Sequence, residues 1–257
     1  MRIRKGFTLI ELLVVIAIIA LLLAIVMPSL NMAKEHAQRM QCATNLRNIG
    51  QTLYIYAESQ RGFIPEAFYG SPYGGGLQTS PAATYMIFDV NTSMTPPEIR
   101  KDTMVNFAIL WTLKLIETSQ TFYCPSSLRN PFSYDSYGGK ERWPYPVYAN
   151  SSNPERIRVS YSYLPQAIRE KIDIGGRKFP ARAVKWSQLE PGKAVSLDTL
   201  QAEEWWSHRR GSYAGANVLY GDTSVQFRRN PEVLSPTGGA NPMEDPIDFR
   251  VLIQELE

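Results

Sequence analysis

Histidine and cysteine are scarce in this chain, with two of each in 257 residues. With two cysteines and two distant histidines the usual zinc spacings are missing, and no metal set is expected. No Asp-x-Asp run marks a calcium loop, which leaves Asp198, Glu203 and Asp222 without ligand spacing. No GxSxG motif supplies a nucleophile. His208 as a base with Asp198 to orient it would therefore have nothing to activate, and no catalytic residue is expected. Gly74-Gly75-Gly76 lacks the strand–GxxxxGK[ST]–helix setting of a phosphate loop, and no cofactor is expected. Excess charge is also scarce. The chain has 27 basic and 24 acidic side chains, but Arg2, Arg4 and Lys5 lie in the first six residues with no acid. Beyond Gly6 the two signs balance at 24 each. That excludes a general basic field for nucleic acid, leaving Arg209, Arg210, Arg228 and Arg229 as the only suggestion of a local patch.

Long apolar sequence is not scarce at the N-terminus. Phe7 to Met27 runs for 21 residues with one charge, Glu11. As a helix it spans about 31 Å, the thickness of a bilayer hydrocarbon core. The basic residues just before it keep the N-terminus cytoplasmic and send the remainder outward. The run is too long for a secretory h-region, and no small-residue cleavage site follows it. The plain reading is a single-pass anchor. Glu11 argues against that reading, because an acid in a span costs roughly 2.5–3.5 kcal/mol and calls for a partner. A cut between Gly6 and Phe7 would create one. The new α-amine of Phe7 would be cationic at neutral pH, and the Glu11 of a neighbouring chain could neutralise it.

Lys5-Gly6-Phe7-Thr8-Leu9-Ile10-Glu11-Leu12 resembles the class III signal of type IV pilins and of the pseudopilins of type II secretion systems. The resemblance implies cleavage by a prepilin peptidase after Gly6, N-methylation of Phe7, and Glu11 as the acid required for assembly. Pro28 falls where pilin helices often kink. The organisation expected is a leader at 1–6, a transmembrane and assembly helix at 7–27, an amphipathic continuation at 28–61 and an extracytoplasmic domain at 62–257.

Past Pro28 the helical spacing continues through Leu30, Ala33, Ala37, Met40, Leu46, Ile49, Leu53 and Tyr56, with Gly62 and Pro65 as stop signals. One kinked rod of about 80 Å is expected over Phe7–Arg61. Residues 62–101 read as a surface excursion with one apolar piece at Tyr85–Val90. Asn106–Glu117 has helical spacing, Ser126–Pro154 reads as loop, and Asp245–Glu257 as a short final helix. Val159–Leu164, Ala194–Leu197, Asn217–Tyr220 and Ser224–Phe227 read as strands, the last two joined by a hairpin. Glu203, Glu204, Trp205, Trp206, His208, Arg209 and Arg210 read as a surface loop that packs its tryptophans or meets another subunit. The fold class expected is α+β, a long N-terminal helix packed on a small antiparallel sheet, which resembles the pilin plan.

Cys42 and Cys124 both fall outside the membrane, where oxidising conditions favour a disulfide; two free buried thiols are the alternative. A bridge would close a loop of about 83 residues, for which the chain-entropy model gives about 4–5 kcal/mol as an upper value. A second resemblance is carried by Cys42-Ala43-Thr44-Asn45-Leu46-Arg47-Asn48-Ile49-Gly50, Cys124-Pro125-Ser126 and Asn217-Val218-Leu219-Tyr220-Gly221-Asp222. These look like a large bacterial family of pseudopilin-like proteins whose C-terminal domain is mostly of unknown function. That family's hairpin usually reads Asp-Gly, whereas Thr223 stands here, and His208 lies farther upstream of Asp222 than the family pattern places a histidine.

The function these resemblances imply is a structural subunit of a type II secretion or type IV pilus-like filament. Its expected partners are prepilin peptidase, other pilin or pseudopilin subunits met through the N-terminal helix, an inner-membrane assembly platform and membrane lipid. Its expected place is the inner membrane, and then a periplasmic or extracellular filament. The rivals are a membrane-tethered binding module for DNA, glycan or a secreted protein, and a tethered enzyme.

Overall fold

The structure is a computed structural model. It describes residues 8–67, 86–91, 98–100, 104–127, 132–137, 143, 156–163, 172–174, 177–179, 183–198, 208–210 and 213–229. The chain divides into two compact units, Met1–Gln38 and Arg39–Glu257. The architecture is α+β: a long N-terminal helix followed by small antiparallel sheets.

The long helix, α1, covers Leu9–Ser59. Its first turn is closed by a capping box. The Thr8 amide and hydroxyl donate to Glu11 Oε2 at 2.9 and 2.8 Å, and the Glu11 amide donates to Thr8 Oγ1 at 3.3 Å. Two otherwise orphaned donors at the helix start are thereby satisfied. Within the first unit the helix continues through Pro28, which has no N–H to give to the Ala24 carbonyl. Its apolar side chains from Leu9 to Met27 are all exposed. The helix is long and apolar enough there to cross a membrane.

In the second unit the buried face of α1 is Cys42, Asn45, Leu46, Ile49, Gly50, Thr52, Leu53 and Ala57. The stripe expected from the sequence began earlier, but Leu30 is 64 % exposed and Met40 65 %. Helical spacing alone does not say where along a rod the covering sheet begins. Gly50 marks the closest approach: a Cβ there would stand 2.8 Å from Leu219 Cδ1. The helix stops in a left-handed turn at Arg61 (φ 57°) and Gly62 (φ 91°), with the Gly62 amide on the Ala57 carbonyl at 2.7 Å. The chain then pairs with residues 184–186, through Ile64 N to Val184 O and Trp186 N to Gly62 O.

Three strands form one sheet: Met86–Asn91 (β1), Glu98–Arg100 (β2) and Arg156–Arg158 (β3), in the order β2-β1-β3. The apolar piece expected in the 62–101 excursion is thus the central strand of a sheet, with Ile87 fully buried. The main sheet is built from Tyr161–Tyr163 (β4), Ala194–Asp198 (β7), His208–Arg210 (β8), Tyr213–Tyr220 (β9) and Val225–Arg228 (β10). Its order is β10-β9-β7-β4, with β8 also pairing β9, and every pairing is antiparallel. Strands β4, β7, β9 and β10 lie where the alternation predicted them. Ile172–Ile174 (β5) and Arg177–Phe179 (β6) form a separate pair.

The helix expected over Asn106–Glu117 is only Ala108–Thr112 (α2). Lys114 turns left-handed at φ 55°, and Leu113 and Leu115 remain exposed. Short 3-10 turns occupy Ser119–Phe122 and Tyr134–Tyr137, the latter inside the stretch read as loop. The Asp245–Glu257 helix lies outside the described residues. Phe107, Phe122, Phe132, Tyr161 and Tyr163 are among the large aromatics of the core, with the Phe107 and Tyr163 ring centroids 4.8 Å apart.

The β9–β10 hairpin turns through Gly221-Asp222-Thr223. Thr223 sits at φ 68°, the Thr223 amide reaches Tyr220 O at 3.0 Å, and the Ser224 amide reaches Asp222 Oδ1 at 2.8 Å. This is the three-residue loop whose last position is left-handed and favours glycine. The backbone keeps the glycine conformation although the side chain is threonine.

Candidate functional site

Two places in the chain gather functional chemistry, one in each unit. The first is the start of α1. Gly6 and Phe7, the expected cleavage and methylation positions, lie outside the described residues. Glu11 is exposed, and its carboxylate is held by its own chain at Thr8.

The second place is buried and is built from four segments. Cys42 comes from α1. Cys124 follows the 3-10 turn at Ser119–Phe122, where the Phe122 carbonyl accepts the Ser160 amide at 3.0 Å and the Tyr123 carbonyl accepts Asn45 Nδ2 at 3.1 Å. Those two bonds fix the Cys124 segment between the sheet and the helix. Asp198 ends β7, opposite Tyr161 of β4. His208 opens β8, opposite Gly215 of β9.

Cys42 and Cys124 are joined as a disulfide, with their Cα atoms 5.1 Å apart. Both sulfurs are covered by polar side chains. Tyr161 Oη stands 3.3 Å and Asp198 Oδ1 3.2 Å from Cys42 Sγ. His208 Nε2 stands 3.4 Å from Cys124 Sγ and 3.4 Å from Asp198 Oδ2. Asn217 closes the group from β9: its amide and its Nδ2 donate to Asp198 Oδ2 at 2.7 and 3.1 Å, and its Nδ2 also lies 3.2 Å from His208 Nε2. Phe227 covers the cluster, lying edge-on to the His208 ring at 6.0 Å with the Arg39 guanidinium 3.9 Å over its face.

Burial pushes the Asp198 carboxyl above its ordinary range, and His208, Asn217 and Arg39 oppose that shift. Burial likewise raises the Tyr161 hydroxyl well above its ordinary value, so Tyr161 remains a neutral donor.

This arrangement changes several readings of the sequence. His208 was expected in a surface loop; it is a strand residue 1 % exposed, on β8 paired with β9. The histidine–aspartate pair does form, but both members are buried and present no face to a substrate. Glu203, Glu204, Trp205 and Trp206 lie outside the described residues. Asp198 and Asp222 do not act together: the first is bound to Asn217, and the second is exposed in the hairpin turn with Ser224. Arg228 lies against Tyr220, its Nε donating to the hydroxyl at 2.6 Å. No metal set is expected from positions along the chain, yet the fold brings one ligand atom from each of Cys42, Cys124, Asp198 and His208 within 4.8 Å of one another. Asn217 opens the Asn217–Asp222 motif, and Asp198 pairs with His208. Only the pairing of β7 and β8 around β9 shows that they belong together.

Residues 1–27 match the family model described as the prokaryotic N-terminal methylation motif. No curated protein and no solved structure matches the chain. The motif is of the prepilin type, and the long exposed apolar helix that follows it supports membrane anchoring. Over those residues the chain is similar to type IV pilins and pseudopilins. The motif belongs to structural proteins, and it implies processing by prepilin peptidase and assembly with other pilin subunits.

Proposed function

We propose that this chain is a pseudopilin or minor pilin, a structural subunit of a type II secretion or type IV pilus-like filament. The carrying observation is an N-terminal methylation motif running into a helix whose apolar side chains, Leu9 to Met27, are covered by nothing among the described residues. Lipid covers them before assembly and neighbouring subunits cover them afterwards. The chain inserts with its N-terminus inside and is cut between Gly6 and Phe7. Phe7 is methylated, and an inner-membrane platform then extracts the subunit. Glu11 pairs with the amine of a neighbour's Phe7, and residues 62–257 face outward.

Glu11→Gln tests this cleanly. Glutamine at the third helical position keeps a capping box with Thr8, so helix start and insertion stay intact while the charge is lost. The expected result is a variant still inserted and processed, whose recovery in sheared or high-mass filament fractions falls to that of cells lacking the assembly ATPase. Assembly at the wild-type level would refute the role of Glu11.

A second reading, a tethered binding module, is favoured by an open groove of about 690 Å³ lined by Gln41, Asn48, Tyr123, Tyr134 and Asp135 among others. Its amides, acid and aromatic rings suit a glycan. Binding of the detergent-extracted chain to a glycan array, lost on Tyr134→Ala, would support that reading.

A further inference from the structure

We infer that Cys42, Cys124, Asp198 and His208 form a tetrahedral zinc site in the reduced chain, and that the disulfide and the zinc-bound form are alternative states of one cluster.

Two thiolates, one imidazole and one carboxylate make a complete tetrahedral zinc environment, closed to water and of borderline softness. All four residues are at least 98 % buried. They come from α1, the segment after the 3-10 turn, β7 and β8, so a metal there would tie the helix to the sheet just where the disulfide does.

Geometry supports the set. With metal–sulfur distances of about 2.3 Å and metal–nitrogen or metal–oxygen distances of about 2.0–2.2 Å, the edges of a tetrahedron are about 3.3–3.8 Å. Cys42 Sγ already stands 3.2 Å from Asp198 Oδ1 and Cys124 Sγ 3.4 Å from His208 Nε2, while the imidazole lies 3.4 Å from the other carboxylate oxygen, Oδ2. The two sulfurs must move apart, while one ligand atom from each of the four residues already lies within 4.8 Å of the others.

Chemistry supplies a second reason. A disulfide sulfur carries no hydrogen. In the oxidised chain, Asp198 Oδ1 therefore faces Cys42 Sγ, and His208 Nε2 faces Cys124 Sγ, without a sulfur-borne proton between them. A buried carboxylate set against a hydrogen-free sulfur is poorly served as an acceptor, since its other oxygen takes both Asn217 donors. A divalent cation among the four atoms gives Asp198 Oδ1 a positively charged partner. The ligand charges then sum to minus three against plus two, and the Arg39 cation that already acts on Asp198 offsets the remainder. Asn217 orients the carboxylate, and Tyr161 Oη is placed to donate to the Cys42 thiolate, the outer contacts that tune a metal site.

The interconversion balances with a dithiol as reductant. Its two S–H groups give two electrons and two protons to the Cys42–Cys124 bond, and the reductant leaves as its own disulfide. Zinc then replaces the two thiol protons, which pass to solvent.

The test uses the full chain in detergent, reduced by a dithiol without oxygen, freed of reductant and titrated with Co²⁺ alone. One Co²⁺ per chain is expected, with tetrahedral d–d absorption and a sulfur-to-cobalt charge-transfer band. One equivalent of Zn²⁺ should abolish both, and the oxidised chain should show neither. Asp198→Asn and His208→Gln should each weaken Co²⁺ binding at least about 10-fold. Both variants are first checked by circular dichroism in the oxidised state, where the disulfide holds the fold. If reduction unfolds the chain, Zn²⁺ should restore its dichroism, because metal binding and folding are coupled. No uptake by the reduced chain, a spectrum without the charge-transfer band, unchanged affinity in His208→Gln, or no recovery with Zn²⁺ would each overturn the proposal.

Discussion

The two units use similar apolar residues in opposite ways. From Leu9 to Met27 the leucines, isoleucines and valines of α1 are exposed on every face. From Cys42 onward the same helix buries Leu46, Ile49 and Leu53 completely or nearly so. The difference lies in what each stretch has to pack against. The second unit carries its own sheet, with Leu219 seated against Gly50. Among the described residues of Met1–Gln38 nothing covers the apolar helix, and a helix apolar all round is stable only in lipid or among other helices. One unit is complete by itself, and the other needs a neighbour.

That contrast can be broken most severely by removing residues 1–38 and replacing them with a cleavable secretion signal. The expected outcome is complete transfer of residues 39–257 from the membrane to the soluble fraction, measured by fractionation and sedimentation. A truncated chain that stayed in the membrane would show that the second unit carries an anchor of its own.

The next effect tests the closure of the second unit. Cys42→Ser, measured by urea unfolding with a chelator present, should lower stability by up to about 4–5 kcal/mol, the loop-closure value for the Cys42–Cys124 bridge. A loss below about 1 kcal/mol would mean that packing alone holds α1 on the sheet.

The smallest effect sharpens the comparison at a single residue. Thr223 holds φ 68° in the hairpin, a conformation that costs a β-branched residue about 1 kcal/mol. Thr223→Gly should therefore raise stability by roughly 0.5–1 kcal/mol, the hydrogen bonds of the turn staying in place. A destabilised variant would show that threonine has a compensating contact.

The first unit was legible because its signals are one-dimensional. A basic leader, a glycine, a 21-residue apolar run and one acid are all read by position. Even there the Thr8–Glu11 capping box went unread, although Thr-x-x-Glu before an apolar run is its sequence form. In the second unit the strands with alternating, β-branched or aromatic residues, such as Ala194–Leu197 and Asn217–Tyr220, are legible. Strands β2 and β3 are not, because three-residue strands carry too little periodicity. The burial of His208 was hidden by its neighbours Trp205, Trp206, Arg209 and Arg210, which look like surface. Its position depends on a strand pairing with Gly215, and its partners Cys124 and Asp198 are brought by other elements. A cluster gathered from four distant segments leaves no spacing to read.

The account rests on the first unit being a prepilin segment, and mass spectrometry of the N-terminal peptide from membrane-extracted protein tests that most directly. The predicted peptide begins at N-methylated Phe7. A peptide that still carries Met1–Gly6, from cells that contain an active prepilin peptidase, would contradict the account and leave the chain a simple anchored domain.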